Sequence, residues 1–250
     1  MSQIDSVLVE ACVDTVRSAH RAVAGGAGRL ELCANLVEGG TTPSAGLMSV
    51  VREEILTPIH VLIRPRGGDF LYETDEIATM LADIAEAKRI GMAGVVIGAL
   101  TPEGRIDERV TGALVDAARP MAVTFHRAFD LALGPIEAME TLTRLGIERV
   151  LTSGQATTAV EGIPIIRGMV GWSAGRVTVM AGGGVDETNA LRIVRETGVQ
   201  EIHLRGSRTE ESAMTFHRPG VFMGKRYDPD EYRRSETSER RIREVVAAVS

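Results

Sequence analysis

A chain of 250 residues with 44% hydrophobic side chains can bury one full core, and this is the usual length of a single barrel domain. Its formal charge of -6 and 4% aromatic content argue against the basic footprint and the stacking platforms that nucleic-acid binding needs. Met1 to Asp5 lacks a basic-then-apolar leader and no apolar run reaches the ~18 residues of a membrane span, so a cytoplasmic chain with no membrane partner is expected, its two cysteines being thiols, ligands or core residues rather than a disulfide.

Taken in chain order, β-branched runs alternate with helical patterns. Val7 to Val13 is followed by a helical pattern over Thr15–Val23, Leu30 to Asn35 by Leu47–Ile55, and His60 to Arg66 by Glu76–Ile90. Val95 to Leu100 leads to Glu108–Ala118, and Ala122 to Phe129 to Ile136–Leu145. Val150 to Gly154, Val177 to Gly182 with a helix over Glu187–Thr197, and Ile202 to Gly206 complete eight runs. Gly91, Gly146 and Gly198 stand where helices end. The repeat predicts an α/β fold, a single (β/α)8 TIM barrel over residues 1–250 with its core over 7–206. A doubly wound open sheet is the alternative, because counting strands does not show closure. Residues 207–237 then form a long segment carrying Met214, Phe216, His217, Phe222, Met223 and Tyr227, expected to act as a lid over the mouth or as a subunit-contact arm. Residues 238–250 are expected to form a closing helix.

Side chains two apart on a strand share a face. One face is apolar: Val9, Ala11, Leu30, Leu32, Val61, Ile63, Val123, Phe125, Val177, Val179, Ile202 and Leu204 are expected to meet the helices. The other carries Glu10, Cys12, Glu31, Cys33, Asn35, Arg64, Arg66, Thr124, His126, Thr152, Thr178, His203 and Arg205. Barrel interiors normally hold Val, Ile and Leu, so this polar set is expected to line a functional mouth, or else to form a structural Glu–Arg network. Two glutamates against three arginines leave a positive surplus suited to a phosphate or carboxylate, with Arg64, Arg66 and Arg205 as its grips. The turn Gly182, Gly183, Gly184, ahead of a helix whose first turn holds Asp186 and Glu187, and Ser207 after the eighth strand, are expected to add anion-binding groups. Glu10, Glu31 and His126 are the candidates for moving a proton, while His203, deeper on its strand, reads as a satisfied structural histidine. Neither the Walker pattern nor the dinucleotide fingerprint is present, so no nucleotide cofactor is expected.

Several blocks are more specific. Glu10-Ala11-Cys12-Val13-Asp14, the stretch Arg29 to Cys33, Glu38-Gly39-Gly40-Thr41-Thr42-Pro43-Ser44, Arg64-Pro65-Arg66-Gly67-Gly68-Asp69-Phe70, Phe125-His126-Arg127-Ala128-Phe129-Asp130 and Leu151-Thr152-Ser153-Gly154 together resemble the CutC copper homeostasis family over about residues 7 to 224. The sequence departs from the family at Ala181, where a proline is usual, and at Leu204-Arg205-Gly206-Ser207. The resemblance implies a cytoplasmic TIM barrel, usually a homo-oligomer, that takes part in copper homeostasis, with Cys12 and Cys33 as Cu(I) ligands. Thiolates suit soft Cu(I), and adjacent strands lie about 4.8 Å apart, although neighbouring inward residues fall into different layers. Both cysteines also fit as small core residues or as reactive thiols. Three functions are therefore carried forward: a Cu(I) binder, an enzyme acting on a small anionic metabolite at the mouth, and a non-catalytic oligomeric scaffold.

Overall fold

The computed structural model describes residues 7–221, 223 and 231–250. Eight parallel strands, β1 (Leu8–Val13), β2 (Arg29–Leu32), β3 (Ile59–Leu62), β4 (Gly94–Ile97), β5 (Ala122–Phe125), β6 (Arg149–Thr152), β7 (Thr178–Gly182) and β8 (Glu201–Leu204), close in sequence order, with β8 pairing back onto β1. Closure excludes the open doubly wound sheet. The helices α1 (Val16–Ala24), α2 (Ala45–Glu54), α3 (Thr74–Ile90), α4 (Glu108–Ala118), α5 (Pro135–Arg144), α6 (Ile163–Ser173) and α7 (Ala190–Thr197) follow the first seven strands, and α8 (Glu239–Val249) ends the chain. No helix among the described residues is long and apolar enough to cross a membrane.

The alternation read from the sequence becomes the division between two cores. All twelve residues of the expected helix-facing set are buried in one continuous core between barrel and helices. Burying an aliphatic side chain of this kind is worth about 1.5–3 kcal/mol, so this outer layer carries most of the fold's stabilisation. Inside the barrel, Cys12, Cys33, Leu62 and Val96 form a separate small cluster beside Leu36. The strands are shorter than the apolar runs at their C-terminal ends. Arg64, Arg66, His126 and Arg205 therefore stand on the loops just past their strands, at the mouth, rather than within the sheet.

Helix starts follow from their caps. Thr15, Ser44, Asp107 and Ser238 each accept a hydrogen bond from a first-turn amide, and Glu73 and Glu76 form a capping box at α3. The last helix of the barrel starts at Ala190 rather than Glu187. Asp186 accepts hydrogen bonds from the Thr188 amide and hydroxyl, and Asn189 ties the Asp186 amide to the Gly184 carbonyl, so residues 185–189 form a turn of their own.

After β8 the chain makes a two-stranded antiparallel sheet of β9 (Ser207–Glu211) and β10 (Arg233–Thr237). Its base is fastened to α1: the Ser18 hydroxyl donates to Glu236 at 2.9 Å and accepts from the Thr237 amide, while Arg21 donates to Glu210. Met214, Phe216 and Met223 of the segment between them are exposed, whereas Phe222 and Tyr227 lie outside the described residues. Helix α8 closes this side of the barrel through Ile242. A Cβ at Gly206, where φ is +55, would come within 2.6 Å of that side chain.

Candidate functional site

Register decides what meets inside the barrel. On β1 and β2, Cys12 pairs with Glu31 and Glu10 with Arg29, and on β8 His203 pairs with Glu10. Equal-looking tripeptides on the two strands are thus offset by one inward layer. Cys12 and Glu31 come to one level, His203 reaches them from the level of Glu10, and Cys33 sits a layer higher.

The lower layer is an ion-pair network. Arg29, 4% exposed, donates to both Glu10 and Glu201, and Glu201 also accepts from Arg149 at 2.9 Å. Glu10 accepts from His203 Nδ1 at 2.8 Å. Burial opposes ionisation of Glu10, but the His203 hydrogen bond and the Arg29 charge outweigh it and hold its carboxyl far below the usual range. Burial likewise opposes the His203 charge, yet its hydrogen bonds to Cys12 and Glu10 and the charge of Glu31 hold the imidazole well above its ordinary value. His203 is therefore an imidazolium at neutral pH, with Nε2 3.7 Å from Glu31. Glu31 itself is pushed up by burial and by the Glu10 charge against the pull of His203. His60 lies below, beside Thr124, and burial lowers it to about 4, so it is neutral.

Above this layer opens a cavity of about 420 Å³ at the C-terminal mouth. Cys12, Glu31 and His203 border its floor; Leu36, Leu62, Phe70 and Leu151 give it apolar walls; the loops after β3, β5, β7 and β8 form its rim. The donor atoms of Cys12, Glu31 and His203 all lie within 4.8 Å of one another, a spacing compatible with a shared metal ion. Cys33 is 1% exposed, does not border the cavity, and lies 3.9 Å from the Glu31 carbonyl. Burial and the Glu31 charge push its thiol well up, so it is protonated at neutral pH.

Four guanidinium groups border the cavity, and three are engaged. Arg64 donates to the carbonyls of Glu38, Gly40 and Gly68, locking the loops after β2 and β3 together, with its Cζ 5.0 Å from the Phe70 ring. Arg127 donates to Asp130 and Ser153, and Arg241 to Glu187 and the Ser207 carbonyl. Arg205, half-buried, makes no hydrogen bond or ion pair among the described residues. His126 Nδ1 accepts from the Ala128 amide at 3.1 Å; burial and the Arg64 charge lower its pKa to about 3. The ring is neutral, so its proton sits on Nε2, which is buried without a partner.

The expected site residues separate accordingly. Glu31, Arg64, His126, Arg205, Gly183, Gly184, Ser207 and Cys12 border one cavity. Arg66 does not: its guanidinium is held by Glu76 and Asp69, ten and three residues further on, and by the carbonyls of Gly67, Asp69 and Leu71. Glu10 is engaged by Arg29 and His203 and is 1% exposed, which leaves it no free oxygen for a reacting molecule. Gly182 makes room rather than contact, since a Cβ there would lie 2.5 Å from Leu151 and 3.1 Å from His203. The glycine turn is separated from α7 by residues 185–189, so the expected helix N-terminus does not face the cavity. Thr152 points away from the interior to Asp130, and Asn35 is exposed on a 3-10 turn over Leu36–Glu38.

Sequence reasoning placed His203 as a hydrogen-bonded histidine but missed its meeting with Cys12 and Glu31, and the presence of Arg29, His60, Arg149 and Glu201 inside the barrel. The available signal was the period of two: Arg29, Glu31 and Cys33 continue one face, as do Glu201, His203 and Arg205. Strands counted from their first apolar residue lost the charged residue that precedes it.

Comparison with known proteins agrees with this architecture. The model of the CutC family matches residues 7–208. A mouse protein named copper homeostasis protein cutC homolog is 47% identical over 240 residues, which is 96% of this chain and 88% of the mouse protein. A family protein CutC of Bacteroides fragilis is 44% identical over 97% of both chains. The crystal structure of a putative copper homeostasis protein CutC from Streptococcus agalactiae superposes with a TM-score of 0.76 at 33% identity, over 79% of this chain and 97% of that one. With most of its length matched by the family model and by these relatives, this chain belongs to the CutC family of copper homeostasis proteins.

Proposed function

We propose that the chain serves copper homeostasis by holding Cu(I) as cargo on the floor of the barrel mouth, with the Cys12 sulfur as anchor and His203 and Glu31 as flanking donors. The observation that carries this reading is the convergence of a thiol, an imidazole and a carboxylate from three strands to within 4.8 Å at the base of a cavity. Sulfur and imidazole donors suit a soft monovalent copper ion, and two bonds of about 2.3 Å, the zinc–thiolate length, span nearly that separation. Glu10, bonded to His203 Nδ1, orients the ring so that Nε2 is the atom offered to the metal. Since His203 is protonated, binding displaces its Nε2 proton, and affinity rises with pH. Cys33 is the second sulfur of this reading; its buried, protonated thiol joins only after losing its own proton.

The test is competition for Cu(I) against a chromogenic chelator. Cys12→Ala is expected to weaken binding at least 100-fold, and Cys33→Ala by less. A Cys12→Ala, Cys33→Ala double variant that competes as well as the wild type would remove the proposal.

A further inference from the structure

The upper half of the mouth carries donors that a metal on the floor does not use. We infer that it is a binding site for the phosphate monoester of a small organic molecule. In this site the phosphate sits on Arg205 and the Gly183–Gly184 turn, and an oxygen at the other end of the molecule accepts from His126 Nε2 and Arg64 Nε. This goes beyond the copper reading and does not depend on it.

Three observations converge on one cavity. Arg205 is the single rim guanidinium left without a hydrogen-bond partner among the described residues, and a half-buried cation in that state is incomplete. Across the mouth, His126 Nε2 and Arg64 Nε are buried donors with no partner, on residues only 5% and 6% exposed. Leaving a buried donor unsatisfied is unfavourable, and a ligand oxygen would satisfy it. At the phosphate end the chain offers side-chain-free backbone: Gly183 and Gly184 border the cavity at φ of +101 and +71. A Cβ on Gly183 would come within 3.0 Å of Ser153 and 3.2 Å of Arg127 Cζ. Successive backbone amides in such a turn form a concavity that suits a tetrahedral oxyanion.

The other polar groups at the rim do not compete for it. Arg127 and Arg241 are held by Asp130 and Glu187, and the Asp186 carboxylate is turned to the Thr188 amide and hydroxyl. Leu36, Leu62, Phe70 and Leu151 line the space between the two polar ends, so the carbon skeleton of the ligand is short. A cavity of about 420 Å³ holds a molecule of three to six carbons with its phosphate. A carboxylate in place of the phosphate would satisfy the same cation, and the test separates the two oxyanions.

Calorimetric titration of the purified full chain, at constant ionic strength with chloride as the balancing anion, uses glycerol 3-phosphate, inorganic phosphate and succinate as probes. Glycerol 3-phosphate is expected to bind saturably and at least tenfold more tightly than inorganic phosphate, because only the ester reaches His126 and Arg64. Arg205→Ala is expected to weaken both phosphates at least tenfold with an unchanged urea midpoint, and Arg205→Lys to fall between. Glycerol 3-phosphate is expected to bind chelator-treated, metal-free protein with the same affinity, which separates failure here from failure of the copper reading. No saturable binding of any probe, wild-type affinity in Arg205→Ala, or tighter binding of succinate than of glycerol 3-phosphate would each overturn the inference.

Discussion

Glutamine at position 10 removes one buried charge from the barrel and leaves the shape of the side chain nearly unchanged. Glu10 is 1% exposed and accepts from both Arg29 and His203. In the Glu10→Gln variant Arg29 keeps Glu201, while His203 loses its charged Nδ1 partner and keeps Cys12 and, at 3.7 Å, Glu31. Breaking a buried pair from one side costs about 3–5 kcal/mol; with Arg29 still paired and His203 free to lose its proton, the lower end, about 3 kcal/mol, is expected. At about 2–4 °C per kcal/mol for a chain of this size, the melting temperature falls by about 6–12 °C. The pH dependence has a definite sign. Glu10 is depressed, so its contribution is present above its ordinary 4.5 and fades as pH falls towards its folded value. His203 is raised, so its contribution is complete below its ordinary 6.5 and is lost as pH rises through its folded value. Urea unfolding of both proteins from pH 4 to 9 should therefore show the widest gap between about 4.5 and 6.5, narrowing on either side. A gap under 1 kcal/mol that does not change with pH would refute the coupling argued from this network.

Three further outcomes follow from local geometry. Gly98→Ala would place a Cβ 2.4 Å from His126 Cε1 and 2.6 Å from Nδ1, so urea unfolding should show a loss of about 1–3 kcal/mol; Gly168→Ala, in the interior of α6 with nothing within 4 Å, should instead gain about 0.5–1 kcal/mol. Asp130→Ala strips the acceptor shared by Thr152, the Ser153 and Gln155 amides and Arg127, and should cost about 3 kcal/mol and open the loop after β6 to limited proteolysis. Iodoacetamide at pH 8 should leave Cys33 unlabelled in the folded protein, because its thiol is buried and protonated, and mass spectrometry that found Cys33 labelled ahead of Cys12 would contradict its placement behind the cavity wall.

Much of the fold was legible from local pattern. The twelve helix-facing residues were named correctly because a two-residue period on short strands leaves one assignment of faces when only one side is apolar, as in Val9-Glu10-Ala11-Cys12. The face of β6 was misread at Thr152 because Val150, Leu151 and Thr152 do not alternate in polarity; the register of Leu151 with Met180 assigns it instead. Arg66 looked like Arg64 because the two share a strand period. Their difference comes from Glu76, on the first turn of a helix that only the folded chain brings alongside.

The sequence by itself determined that eight strand–helix units with one polar face would build a barrel carrying acids, thiols and arginines on its inner side, because periodicity and burial are local properties. Only the tertiary structure decided which of those groups meet. The stagger between adjacent strands sets Cys12 level with Glu31, with His203 reaching both from the level of Glu10, and lifts Cys33 out of the cavity, while loop contacts engage every rim arginine among the described residues except Arg205. Register and loop packing are relations between distant segments, and no window along one strand contains them.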